Sequence, residues 1–112
     1  MPRLSIKISL DGGGKLGPGK IALLEAVDSE GSISAAGRKL GMSYRRAWDL
    51  IQDLNTVFGQ PVLEVAIGGK QGGGAMLAPA GRRLIDLYRQ IETTAYDLCA
   101  DGLKDLENLA AR

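Results

Sequence analysis

The chain has 112 residues, 45% of them hydrophobic and 24% charged, with a net charge of +1. That is enough apolar material for one domain with a real core and too much for global disorder. It has no histidine and one cysteine, Cys99. An internal disulfide, a zinc site and most serine or cysteine hydrolase arrangements are therefore excluded, so the composition disfavours an enzyme and calls for no cofactor.

No apolar run is long enough to span a bilayer, and Met1–Ser5 lacks the apolar stretch of a signal peptide. A cytoplasmic location without a membrane partner is the expectation. The small net charge conceals an uneven distribution. Residues 1–20 carry four bases and one acid, residues 21–31 three acids and no base, and residues 32–48 four bases and no acid.

Leu4, Ile6, Ile8 and Leu10 alternate with Ser5, Lys7 and Ser9, the period of a half-buried strand, and Asp11–Gly14 ends it. Gly14–Lys20 has the G-x-x-x-x-G-K spacing of a phosphate-binding loop. Ile21 stands where that motif needs a serine or threonine for magnesium, so the segment reads as a flexible glycine linker. A first helix is predicted from about Pro18 to Ser29, burying Ile21, Leu24 and Val27 with Leu23 and Ala26 beside them, and Gly31 stops it.

Ser32–Leu40 reads as a second helix, capped by Ser32 or Ser34, whose small residues Ala35, Ala36 and Gly37 admit a close neighbour. Gly41 turns the chain into a third helix, Ser43–Phe58. Ala47, Leu50, Ile51, Leu54 and Phe58 form its buried face, and Arg45, Asp49 and Gln52 its outer one.

Val62–Ile67 and Ala75–Leu77 read as strands of a hairpin whose glycine-rich tip, residues 68–74, holds Lys70. Pro79 opens the last helix. Leu84, Tyr88, Ile91, Ala95 and Leu98, spaced 4, 3, 4, 3, make a heptad seam suited to dimerisation. Asp101-Gly102 weakens that helix before Leu103, Leu106 and Leu109 resume an apolar stripe.

The predicted fold is mainly α with small β elements: a winged helix-turn-helix with an N-terminal strand, a β-hairpin wing and a long C-terminal linker and dimerisation helix. Residues 1–80 form the DNA-binding domain and residues 81–112 the helix packed on it. Two short helices with a basic outer face suit the major groove of double-stranded DNA, read from the N-terminal end of the second one. Arg45 and Arg46 are the foremost candidates for base or phosphate contact. Arg38 and Lys39 are candidates for the backbone, and Lys70 for the wing. A homodimer would place two reading helices about 34–36 Å apart, one turn of DNA.

The blocks Gly31–Ser34, Ser43–Ile51 and Gly68–Ala75 resemble the N-terminal domain of the ModE family of molybdate-responsive transcriptional regulators. Pro79–Leu84 is similar to the start of the linker helix shared with LysR-type regulators. The resemblance covers roughly residues 4–98. It implies a dimeric winged helix-turn-helix on a palindromic operator, with Ser34, Ser43, Tyr44, Arg45, Arg46 and Lys70 as contact candidates. Family members continue into molybdate-binding domains, so the expectation is either a fragment or a short member whose sensor is absent or separate, with a molybdate-sensing partner in the latter case. Ala78 departs from the usual threonine and removes a side-chain cap worth about 0.5–2 kcal/mol. The rival reading is a protein-interaction module that keeps the fold, a possibility the near-neutral charge leaves open.

Overall fold

A computed structural model of the chain describes residues 2–66 and 73–111. In chain order the elements are β1 (Ile8–Ser9), β2 (Lys15–Leu16), α1 (Pro18–Glu30), α2 (Ile33–Lys39), α3 (Tyr44–Phe58), β3 (Leu63–Val65), β4 (Ala75–Leu77) and α4 (Pro79–Ala110). The strands form two separate antiparallel pairs, β1 with β2 and β3 with β4.

α1 is the hub. Ile21, Leu23, Leu24 and Val27 have no exposed surface, because α2, α3, β4 and α4 all pack around this helix. Its amphipathic pattern is weak for that reason: a helix enclosed on most sides is apolar on most sides. Gly31 ends it in the left-handed conformation, its N–H donating to the Val27 carbonyl at 2.8 Å. The Gly31 carbonyl in turn accepts the Ala75 N–H at 2.8 Å, so the stop of α1 is also where β4 is attached.

The N-terminal strand is shorter than predicted and has an unforeseen partner. Alternating burial does run through Leu4, Ile6 and Ile8. Pairing is confined to Ile8 with Leu16 and Ser9 with Lys15. Asp11–Gly14 reverses the chain, with Leu10 N–H on Gly14 O and Gly13 N–H on Leu10 O. The supposed linker therefore contains the second strand of a hairpin. Of the strand predicted over Val62–Ile67, Leu63–Val65 pairs in register with Ala75–Leu77, and Ile67 lies outside the described residues. Val62 is excluded because its N–H is taken by the Asn55 side-chain oxygen at 2.8 Å.

α4 is one continuous helix of 32 residues, uninterrupted at Asp101-Gly102. One glycine costs a helix about 1 kcal/mol, too little to break it with both flanks well formed. At 1.5 Å per residue α4 is about 48 Å long and accounts for the 56 Å long axis of the molecule. Its first turn passes so close to the residue before β3 that a Cβ at Gly81 would collide with the Val62 carbonyl oxygen. That carbonyl also accepts the Ala78 N–H at 3.0 Å, which anchors the helix start where no side-chain cap exists.

The heptad seam divides in two. Leu84 and Tyr88 belong to the core of the single chain, Tyr88 being 1% exposed, and this corrects their assignment to a dimer interface. A heptad pattern records that a face is covered and says nothing of whether the cover is the chain's own α1 or another copy. Beyond Tyr88 the seam is open, with Ile91 45% and Leu98 83% exposed. Arg89 clamps α4 to α1 through a two-pronged pair with Glu25 at 2.6 and 3.1 Å, and it also meets Glu92 at 2.7 Å. The Glu25 hydrogen bonds raise the guanidinium further above its ordinary range against the opposing effect of burial, so it stays charged.

The Tyr88 hydroxyl donates to the Ile6 carbonyl at 2.7 Å and ties the N-terminal segment to α4. Burial holds this phenol above its ordinary value, with Glu92 acting in the same direction. The neutral form is thus the one the fold favours. Its stabilisation is complete below about pH 10 and is lost as pH rises through the folded-state value, because the unfolded chain ionises first. Tyr88→Phe should cost about 0.5–1.5 kcal/mol at neutral pH, and the gap to the parent should narrow at alkaline pH. Denaturant unfolding at both pH values checks this, and a gap that does not change with pH would refute it.

Candidate nucleic-acid interface

Two serine caps fix the helix pair. The Ser32 hydroxyl accepts the Ala35 N–H at 3.0 Å, which settles the start of α2 in favour of Ser32 over Ser34. The Ser43 hydroxyl accepts the Arg46 N–H at 3.1 Å. Between them Gly41 is left-handed and the Met42 N–H donates to the Gly37 carbonyl at 2.9 Å. A Cβ at Gly37 would lie 3.2 Å from the Met42 carbonyl oxygen and 3.6 Å from the Ala47 methyl. Glycine at that position and alanines at 36 and 47, both wholly buried, let α2 and the start of α3 touch nearly backbone to backbone.

This packing points the first turn of α3 outward. Ser43, Tyr44, Arg45 and Arg46 are all exposed, while Ala47, Ile51 and Leu54 face the core. Leu50 and Phe58 are partly buried against that core. Arg45 reaches along the helix to Asp49 at 3.2 Å. Arg46 has no ion-pair partner among the described residues. The Ser43 oxygen is committed to the cap, yet its own hydrogen is still available to donate. Trp48 is 36% exposed, a boundary residue on the flank of the same face.

Ser34, Arg38 and Lys39 lie exposed on α2. Lys39 is turned toward Glu30 at 3.5 Å, while Arg38 has no ion-pair partner among the described residues. Lys70 lies outside the described residues. Three basic residues that the sequence reading did not select, Lys7, Lys15 and Lys20, stand near the start of α3. Lys20 bonds Asp53 of α3 and the Lys15 carbonyl. The excess of bases in residues 1–20 was the available signal. Their approach to α3 depends on tertiary folding, which a charge count does not contain.

No helix among the described residues is long and apolar enough to cross a membrane. The arrangement is a rigid, capped helix end that presents two guanidiniums, a hydroxyl and a phenol on one surface. Guanidiniums bind phosphates or the acceptor edge of guanine in paired fashion, and hydroxyls and phenols reach phosphate oxygens. Replacing Ser43 with Ala should lower stability by about 0.5–2 kcal/mol by orphaning the Arg46 amide, with threonine restoring most of it. Urea unfolding of the three proteins tests the cap, and coincident midpoints would remove it.

The model for bacterial regulatory helix-turn-helix proteins of the lysR family matches residues 19–82, more than half of the chain. Among characterised relatives, the molybdenum-pterin-binding protein MopB of Rhodobacter capsulatus is 46% identical over 94 residues, 84% of this chain and 35% of its own. The transcriptional regulator ModE of Yersinia pestis is 43% identical over 97 residues, 84% of this chain and 37% of its own. The DNA-binding dual regulator ModE of Escherichia coli K12 is 42% identical over 87 residues, 75% of this chain and 33% of its own. The chain thus spans about a third of the length of these relatives.

A solved complex of the CbnR DNA-binding domain with DNA superposes with a TM-score of 0.54 at 25% identity, covering 83% of this chain and 95% of that one. ArgP from Mycobacterium tuberculosis, at 23% identity and a TM-score of 0.55 over 75% of this chain and 30% of its own, shares the fold. With its family match running from α1 into α4 and its identity to ModE, MopA and MopB proteins, the chain belongs to the lysR family of bacterial regulatory helix-turn-helix proteins and is a domain of the ModE type.

Proposed function

We propose that this domain is the DNA-binding part of a ModE-type transcriptional regulator, reading a palindromic operator with the start of α3. The observation that carries the reading is the joint exposure of Ser43, Tyr44, Arg45 and Arg46 on a serine-capped helix end tightly braced by α2. A like-folded domain captured with DNA supports it. Arg45 and Arg46 act on base edges and phosphates, Ser34, Arg38 and Lys39 on the backbone beside them, and Lys70 on flanking DNA. The molybdenum in the relatives' names supports molybdate as the signal, sensed outside this domain.

In this reading the protein acts as a homodimer through the open part of α4. Leu87, Ile91, Leu98, Leu106 and Leu109 leave large apolar surfaces exposed on this helix. Apart from Leu106, which lies toward the edge, they fall within one narrow stripe at 100° per residue. Such a stripe on an outlying helix is the pattern of a helix seam, and a two-fold pairing gives the two reading heads that a palindrome needs.

Arg45→Ala should weaken operator binding by about 1–3 kcal/mol and relax preference at the contacted base pair. Selection of bound sites from random DNA, followed by titration of both proteins, measures it. Equal affinity and equal preference would sink the base-contact role. Leu98→Asp with Leu106→Asp should turn a dimer into a monomer and cost most of the operator affinity. Sedimentation at micromolar concentration decides this, and a parent protein that is itself monomeric rules out the seam.

A further inference from the structure

The site above leaves the basic N-terminal segment without a task, including the Gly14–Lys20 stretch that mimics a phosphate loop. The fold gathers these charges against the reading helix. Lys7, Lys15, Lys20 and Arg46 line one shallow depression, formed by the residue before β1 together with β2, α1 and α3. Lys7 is seated over the turn into α1, its Cγ 4.0 Å from where a Cβ of Gly17 would stand. A second hollow, along Ser43, Arg45 and Asp49, shares Lys20, Arg46 and Leu50 with the first. The surface is therefore continuous from the hairpin to the reading end.

The acids on this surface are already neutralised. Asp53 is bound by Lys20 and Asp49 by Arg45. Lys7, Lys15 and Arg46 are exposed and have no ion-pair partner among the described residues, so the depression carries a net positive charge. Such a surface has the chemistry of a polyanion contact. Lysines are mobile point charges without the planar fork that reads a base, which suits phosphates and not base edges.

We infer that the β1–β2 hairpin is a further DNA-contacting element, in which Lys7 and Lys15, with Arg46 beside them, hold phosphates of the strand flanking the groove that α3 enters. The inference rests on the DNA-binding reading of α3 and adds to it a clamp built from a different part of the chain.

Salt titrations of operator and random-sequence DNA test it, using the full chain, a Lys7→Ala/Lys15→Ala variant and a Lys104→Ala control on the distant end of α4. The double variant should flatten the slope of log affinity against log salt by about two units per bound protomer, about four for a dimer on its operator, one per lost phosphate contact. It should weaken operator and random DNA in equal proportion, with the control unchanged. Lys7→Arg/Lys15→Arg should keep the parent slope. Both side chains are exposed, and Lys7→Gln/Lys15→Gln provides a second neutral pair should the alanine variant fold poorly. An unchanged slope in the neutral variants, with the parent still selecting its operator, overturns the hairpin contact and leaves the role of α3 standing. A changed ratio of operator to random affinity overturns the phosphate assignment. A parent protein that binds no DNA overturns both readings.

Discussion

At Gly37 the second helix passes so near the start of the third that a methyl group there would stand 3.2 Å from the Met42 carbonyl oxygen. Much else follows from this approach. It sets the angle between α2 and α3, and the Met42 N–H closes it by bonding the Gly37 carbonyl. With that angle fixed, the side of α3 that carries Ala47, Ile51 and Leu54 must face α1, and the side that carries Tyr44 and Arg45 must face out. A larger residue at 37 would shift the Met42–Ser43 backbone, and with it the cap on which the reading end is built. The dense packing of interiors makes such shifts costly, so the surface geometry is inherited from a contact one layer beneath it.

The same logic links the remaining parts to α1. The Gly31 carbonyl receives β4, Glu25 receives Arg89 of α4, and Asp28 receives Arg82 at 2.7 Å. A helix with almost no free apolar surface thus carries its polar residues at the points where other elements must be held in place. Exposed pairs such as Arg82 with Asp28 add little to stability on their own, and their effect is to fix where α4 leaves the domain. In the proposed homodimer that exit direction decides how two copies place their α3 ends, so their spacing on DNA would be set partly by these ion pairs on α1.

Much of this was legible in the letters. The faces of α1 and α3 followed from apolar spacing, and the cap of α2 was narrowed to Ser32 or Ser34 from serines ahead of helix formers. The misses have physical causes. Lys15–Leu16 is two residues between glycines, too short for any periodicity to register, and it is a strand only because Ile8–Ser9 lies opposite. Leu84 and Tyr88 shared the heptad spacing of Ile91 and Leu98, yet the first pair is covered by the chain's own core and the second is not. Asp101-Gly102 was read as weakening the last helix from local propensity alone, and the long helical flanks on either side carry α4 through it without interruption. The basic N-terminal segment was counted correctly as a charge excess, but nothing in a linear count shows that it folds back to within reach of Arg46.

If the domain acts on DNA as proposed, the ion pairs on the exposed face of α3 account for how a protein of net charge +1 could grip a polyanion without sticking to every one. An exposed pair such as Arg45 with Asp49 is worth roughly 0–1 kcal/mol, since water screens both partners. A well-made contact to a base edge is worth about 1–3 kcal/mol. In the proposed function the pair yields when the right base is present and holds when it is not, which makes Asp49 a competitor that poor sites fail to displace. Arg46, without such a competitor among the described residues, has no equivalent threshold and suits the sequence-independent phosphate. The proposed function thereby divides selectivity and grip between adjacent arginines through one carboxylate a turn further along the helix.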